Sequence, residues 1–450
     1  MPMIIFKRRL LFWLVRAYVK KWGRVIVFSF LAGLIIFFVL FYTSGILIRL
    51  IPTQRNEIIG IAGFYTTDSL PPFITNKIAE GLTTVDSKGE IKPDLAKSWV
   101  ISDKGLTYTF NLNTSKKFSD GHYLTSKDIN YNFSDVSVIR PNRSTIIFHL
   151  KEIYSPFLVT VSRPIFRHSY IGTGSFKIAN VQLNGNFLQT ITLINNHNRF
   201  DTEKYIFYSN DNVLKTAFML GEINQMTMLP NTLFEKYNFN NLPNDIVTKH
   251  TEDYKLVTLF YNTQDSVLSS NQFRDALGYA IQNSFSQGQR AYLPYPPGVW
   301  YYDTDLIPKT QDLTHAKLLM EASGEKVSTL DLKTLSKYYS TAQQVAADFA
   351  KVGINTKIEQ VDTIPSKFQI YLGEISLPKD PDQYTLWHEK QPDNITLLID
   401  KRIDKYLEDG RQTLDQSKRK TIYDNFQKYL SDREPATFLY FPYSYTVSRK

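Results

Sequence analysis

The sequence predicts a mixed α/β protein of two lobes behind one N-terminal transmembrane helix, and three observations predict it. Val25 to Ile48 is an uncharged apolar run of a length that crosses a bilayer core as a helix. The remaining ~400 residues exceed what one hydrophobic core ordinarily organises. Within them, strand-like and helical stretches interleave instead of segregating.

The flanks of the apolar run set its orientation. Lys7, Arg8, Arg9, Arg16, Lys20, Lys21 and Arg24 precede it, and only Arg49 and Arg55 closely follow it. The positive-inside bias therefore places residues 1–24 in the cytoplasm as a basic segment, 25–48 across the membrane, and the rest on the extracytoplasmic face. A cleaved signal peptide would end its shorter apolar stretch in a small-residue cleavage site, whereas this run ends in GILIRLIP. The preceding MIIFKRRLLFWLVRAYVKKW mixes apolar and basic residues at roughly helical spacing, a pattern suited to the inner membrane surface.

The net charge of +9 belongs to this segment. Residues 1–50 hold eight basic and no acidic side chains, leaving 44 basic against 43 acidic residues in the remainder. A nearly neutral remainder argues against a nucleic-acid surface. Cysteine is absent, which excludes a disulfide framework, a thiolate metal site and a lipid-modified cysteine at the N-terminus.

In chain order, EIIGIAGFY (57–65) reads as a strand, and LTYTFNLN and STIIFHLKE as alternating strands. VLKTAFMLGE, FRDALGYAIQ, THAKLLMEA and STAQQVAADFAKVG read as amphipathic helices, the last followed by the strand INTKIEQVD. Turn signals fall at Asp86 to Gly89 and Asp103 to Gly105. Pro93 is expected to open a short helix with Leu95 and Trp99 on one face. Thr125 to Asp128 has the form of a capping box starting a helix that carries Ile129 and Phe133. PYPPGVWYYD (294–303) is a Pro- and aromatic-rich loop suited to a lid or a rigid connection.

From Gly81 to Asp128 the chain reads GLTTVDSKGEIKPDLAKSWVISDKGLTYTFNLNTSKKFSDGHYLTSKD. The order and spacing of these residues resemble the signature of the family 5 extracellular solute-binding proteins, the oligopeptide, dipeptide and nickel binding components of ABC importers. Downstream segments resemble the same family: Ile171-Gly172-Thr173-Gly174-Ser175-Phe176, Leu214 to Ile223, Phe260 to Asn262 with Phe273 to Leu277, Asp312 to Gly324, Lys379-Asp380-Pro381-Asp382, and Pro435 to Phe441. The resemblance covers residues 57 to 450.

It implies a two-lobed periplasmic-binding-protein-like fold, type II and cluster C-like, with a reduced extra subdomain. Lobe I would comprise 57–255, completed by 437–450, and lobe II 256–436. The subdomain is trimmed near 134–170, since only SDVSVIRPNRS lies between Phe133 and Thr145. The implied function is a membrane-anchored extracytoplasmic receptor that closes on an oligopeptide or similar small solute and delivers it to ABC permease subunits. A surface sensor or interaction module on the same fold, without a transport partner, is the alternative. By position, the ligand-binding candidates are Phe64, Tyr65, Thr227, Met228, Phe260, Tyr261, Glu374, Ile375 and Tyr440.

In peptide-binding members an acidic residue about four positions before the D-P proline pairs with the peptide ammonium; Leu377 holds that slot here. An ammonium buried without a counter-charge is costly, so the usual clamp is disfavoured unless Glu374 or Asp380 replaces it. No catalytic residue is nominated. The seven histidines are scattered without metal spacing, and neither G-x-S-x-G nor H-E-x-x-H occurs, so no metal, cofactor or hydrolytic site is expected.

Overall fold

A computed structural model describes residues 3–50 and 55–450, with side chains described for 10–42 and 56–450. The chain forms two compact units, Met1–Arg55 and Asn56–Lys450. The first contains the helix Met3–Leu50. No proline or turn cluster interrupts it, so the basic segment and the apolar run expected as separate pieces are one rod. Leu10–Tyr42 is apolar and long enough to cross a membrane, and none of it is buried. The side chains of Lys7, Arg8, Arg9, Arg49 and Arg55, and of the run beyond Tyr42, lie outside the described residues.

A 12-stranded mixed sheet organises the second unit. Its spine is the C-terminal strand Ala436–Arg449. The early residues of this strand pair antiparallel with Lys255–Tyr261, in register Phe260 to Ala436. The late ones pair with Asp245–Thr251 and Gln225–Leu229. One long strand therefore belongs to two half-sheets. Beyond Lys255–Tyr261 the second half continues through Ile370–Ser376, Thr329–Leu335 and Asn355–Val361. Beyond Gln225–Leu229 the first half continues through Arg55–Ala62, Asp201–Tyr208, Phe187–Asn195 and Phe176–Asn184.

The strand KLVTLFY is apolar on nearly every position because both its faces are covered. Val257, Leu259 and Tyr261 pack toward helices Asn271–Ala280 and Tyr339–Ala350. Leu256 and Phe260 pack toward helices Lys401–Gln412 and Gln416–Arg433. Each such side chain contributes about 1.5–3 kcal/mol of burial. In the first half, Ile59, Ile61, Leu193 and Tyr205 pack with Ile74 and Ile78 of helix Pro72–Ile78, and Leu214 and Phe218 of helix Asp211–Leu220 cover Met226 and Val447.

The GTG turn follows from close approach. A Cβ on Gly172 would stand 2.2 Å from the Ile78 carbonyl oxygen, and one on Gly174 2.3 Å from that of Lys77. Only hydrogen fits at either place. Residues 96–150 form a separate four-stranded antiparallel sheet, Ala96–Ser102, Thr107–Leu112, Thr145–Leu150 and Val136–Asn142 in spatial order, over a core of Tyr108, Phe110, Phe148 and Phe157.

Two local expectations are corrected. Pro93 ends the short strand Ile91–Pro93, and the residues after it form strand Ala96–Ser102, in which Trp99 sits opposite Phe110. Cross-strand pairing with TYTFNL overrides the helical spacing of Leu95 and Trp99. The Thr125–Asp128 capping box is present, but it starts only the single turn Ser126–Asp128, after which Ile129 is extended. Ile129 is buried in the small-sheet core, and that packing outweighs continuation of the helix.

Candidate functional site

Three segments meet where the first half and its small sheet face the second half. The hairpin Thr83–Val85 and Ile91–Pro93 carries a turn shaped by Asp86, whose carboxylate accepts the N–H groups of Lys88 and Glu90, each at 2.9 Å. This is an Asx-type turn built from local sequence. Opposite stands the loop 294–303. Tyr295 donates its hydroxyl to the Pro381 carbonyl at 2.6 Å, and Tyr301 donates to that of Lys379 at 3.2 Å. Tyrosine hydroxyls thus fasten the loop to the third segment, 377–387.

Two arginines hold that third segment. Asp380 is bidentate with Arg419, at 2.5 and 3.0 Å, and both side chains are buried. Asp382 receives Arg411 at 2.8 and 3.0 Å. Burial raises the Asp382 pKa, and Arg411 opposes that rise. The Arg411 guanidinium lies 4.1 Å from the Tyr384 ring centroid and 5.3 Å from that of Tyr154.

The two sides are bridged at two places. Trp300 donates its backbone N–H to Lys88 O and its Nε1–H to Gly89 O, both at 2.9 Å. Ser155 donates N–H to Arg411 O at 2.8 Å and its hydroxyl to Gly410 O at 3.0 Å. Gly89 has φ 76° and lies so close to the loop that a Cβ would stand 2.9 Å from the Tyr301 ring. The turn can meet Trp300 only with glycine there.

Two cavities flank the Trp300 bridge. One, of about 340 Å³, has an apolar wall of Ile91, Ile101, Leu158 and Leu414 with Glu90, Gln416 and the Asp380–Arg419 pair as its polar groups. Burial raises the pKa of Tyr108, which lines it, to about 12. The other, of about 210 Å³, is lined by Val85, Asp86, Asp253, Tyr254, Pro296, Pro297 and Lys379, among others. Concave walls that combine apolar surface with fixed polar groups suit reversible holding of a small solute. Among the described residues, no group of His, Asp and Glu is arranged to hold a metal ion.

None of the residues nominated by position lines either cavity. Phe260, Tyr261, Ile375 and Tyr440 are buried in the second-half cores. The Tyr261 hydroxyl pairs with Thr437 and that of Tyr440 with Thr341, both at 2.8 Å, so each is satisfied internally. Glu374 accepts the Tyr338 hydroxyl at 2.7 Å, with Lys337 Nζ 3.8 Å away. Phe64 is exposed against Phe187, and Tyr65 packs on Phe207. The Thr227 hydroxyl lies 3.0 Å from that of Thr446, and Met228, at φ 60°, packs on the first-half core.

The physical reason is period-2 alternation in a sheet covered on both faces. Rank along the chain does not say which side of a strand faces a cleft. Leu377 is buried, and Asp380 borders the larger cavity already committed to Arg419. Of the groups that do line the cavities, the Asp86–Gly89 turn and the Pro-aromatic loop are sequence signals. Arg419 and Asp253 have none.

Residues 90–395 match the family described as bacterial extracellular solute-binding proteins, family 5. The oligopeptide-binding protein AppA of Bacillus subtilis is 25% identical over 87% of this chain and 84% of its own length. The nickel-binding periplasmic protein of Escherichia coli is 24% identical over 85% of this chain and 86% of its own. The ABC transporter substrate binding protein CtaP from Listeria monocytogenes superposes with a TM-score of 0.75 at 21% identity, covering 88% of this chain and 94% of that one, and so shares its fold.

Proposed function

Because this chain belongs to the family 5 bacterial extracellular solute-binding proteins, we propose that it is the membrane-anchored, extracytoplasmic receptor of an ABC importer. It captures an oligopeptide or similar extended solute between two lobes, 57–255 with 437–450, and 256–436. The observation that carries this reading is the bridged cleft. Trp300 and Ser155 join facing walls through only a few hydrogen bonds, leaving solute-sized cavities between them. Contacts so few can be made and broken as the walls part, with the shared C-terminal strand as the connection between halves. A solute touching both walls interacts only with the closed arrangement, and that differential supplies the free energy of closure. The relatives bind oligopeptides and nickel by their names; the apolar wall beside Trp300 favours the former class here.

The helix Leu10–Tyr42 supports tethering. A receptor confined to the membrane surface meets its permease at a raised effective concentration. Native mass spectrometry of the full-length chain tests capture directly: a ladder of peptide masses is the expected result, and a chain carrying no solute counts against it. Co-purification of permease and ATPase subunits is expected after mild detergent extraction. Their consistent absence would favour a sensor. An intact N-terminus on the membrane-extracted chain separates an anchor from a cleaved signal.

A further inference from the structure

The half of the long helix that precedes the apolar run takes no part in capture, and its two faces differ. Arg16, Lys20 and Arg24 recur every four residues and so share one face. Leu11, Val15, Tyr18 and Trp22, spaced four, three and four apart, share the opposite face, and all four are exposed. Residues 1–50 contain eight basic side chains and no acidic one, and the first carboxylate of the chain is that of Glu57. The cations of this unit therefore have no counter-charge within it.

The helix is also longer than a bilayer requires. At about 1.5 Å per residue its 48 residues extend about 72 Å, whereas a hydrocarbon core about 30 Å thick takes about 20. Arg16, Lys20, Lys21 and Arg24 keep their own stretch out of that core, so the span begins at Val25 and residues 10–24 lie at or beyond the headgroups. A face of four large apolar side chains is unfavourable in water, and the surface nearest to it is the membrane that the same helix enters. Gly23, the one glycine before the span, lets the helix turn there with least resistance and lay its preceding turns along the bilayer.

We propose that residues 10–24 form a binding surface for anionic phospholipids. Leu11, Val15, Tyr18 and Trp22 enter the boundary between headgroups and acyl chains, and Arg16, Lys20, Lys21 and Arg24 hold headgroup phosphates at the bilayer surface. Two observations select this occupant. Basic side chains without an internal counter-charge call for an anionic partner, and the face is continuous with the part of Leu10–Tyr42 that crosses the membrane. A second copy of the chain would bring the same positive charge against itself. The proposal rests on the anchor reading above and adds the lipid class to it, so that the receptor gathers where anionic lipid is concentrated.

The test reconstitutes the full-length chain in phosphatidylcholine bilayers with a trace of nitroxide-labelled phosphatidylglycerol or nitroxide-labelled phosphatidylcholine as the probe. Electron paramagnetic resonance reads the fraction of each probe held at the protein. Phosphatidylglycerol is expected to be preferred about threefold or more at low salt, with the preference falling toward parity in about 1 M salt. The neutral variant Arg16→Gln, Lys20→Gln, Lys21→Gln, Arg24→Gln should lose the preference, whereas Arg16→Lys with Arg24→Lys should keep it. Because the chain has no cysteine, Val15→Cys accepts a single nitroxide, and that label should be shielded from a water-soluble relaxation agent. Equal association of the two probes, a preference that survives in the neutral variant or is lost in the lysine variant, or a water-exposed label overturns the proposal. A chain recovered from the membrane without its N-terminal helix overturns the anchor reading as well, whereas an intact chain without lipid preference overturns this proposal alone.

Discussion

The Asp380–Arg419 pair holds one wall of the cleft, and removing one charge should cost more than removing both. The side chains are 6% and 7% exposed, with N–O distances of 2.5 and 3.0 Å. Asp380→Asn preserves the shape and an oxygen for the Asp382 N–H that Asp380 accepts at 2.9 Å. It leaves the Arg419 guanidinium buried without a counter-charge, keeping the Gly410 carbonyl and the retained amide oxygen but losing the acceptor of its Nη1. An uncompensated buried charge costs about 3–5 kcal/mol. With an unfolding entropy of about 2.1 cal/mol/K per residue over residues 56–450, near 0.8 kcal/mol/K in total, the melting temperature should fall by about 4–6 °C. Differential scanning calorimetry of the full-length chain reads this directly. The double variant Asp380→Asn, Arg419→Met removes the stranded charge and should recover most of the loss. A single variant melting within about 1 °C of the parent, or a double variant less stable than the single, would refute the reasoning.

Trp300→Phe removes the indole N–H that reaches the Gly89 carbonyl. The bridged arrangement should lose about 1 kcal/mol, a roughly fivefold shift toward separated walls that small-angle scattering registers as a larger radius of gyration; unchanged scattering would count against Trp300 as a bridge. Asp94 has its pKa raised to about 6, by burial and then by Glu80, with Lys116 opposing. A carboxyl that holds its proton more tightly when folded stabilises the fold at low pH, and that contribution is lost as pH rises from about 4 through about 6. Asp94→Asn should therefore flatten the melting temperature across that window and raise it at pH 7, and a variant with the parent's pH profile would contradict the assignment. Gly174→Ala drives a Cβ to 2.3 Å from the Lys77 carbonyl oxygen, backbone that cannot yield without moving helix Pro72–Ile78. A loss of about 2 kcal/mol or more in denaturant unfolding is expected, and a neutral result would mean that the turn relaxes freely.

Helices at 211–220, 271–280, 313–323 and 339–350 were legible because apolar spacing, an N-cap or a C-terminal glycine marked them. Asn210 and Asp312 do cap their helices through side-chain oxygens. The 96–102 strand is not legible in its own residues, because its stabilisation comes from Phe110 and its neighbours on the next strand. The cleft was less legible still. Phe260, Tyr261 and Tyr440 are aromatic and correctly ordered along the chain, yet packing turns each into a core. The residues that face the cavities come from turns, loops, short strands and, as Arg419 does, from a distant helix, and their only common property is where folding leaves them.

By itself, the sequence determined the uncharged apolar run near the N-terminus, the alternation of strands and helices, the GTG turn and the family signature. Each of these is a local pattern of apolar spacing, missing side chains or turn chemistry. Only the tertiary structure decided that one C-terminal strand serves two half-sheets, that Trp300 meets the Lys88–Gly89 turn, and that Asp380 pairs with Arg419. Those relations join residues far apart in the chain, and their energies exist only when backbone groups and charges from different segments share one desolvated space.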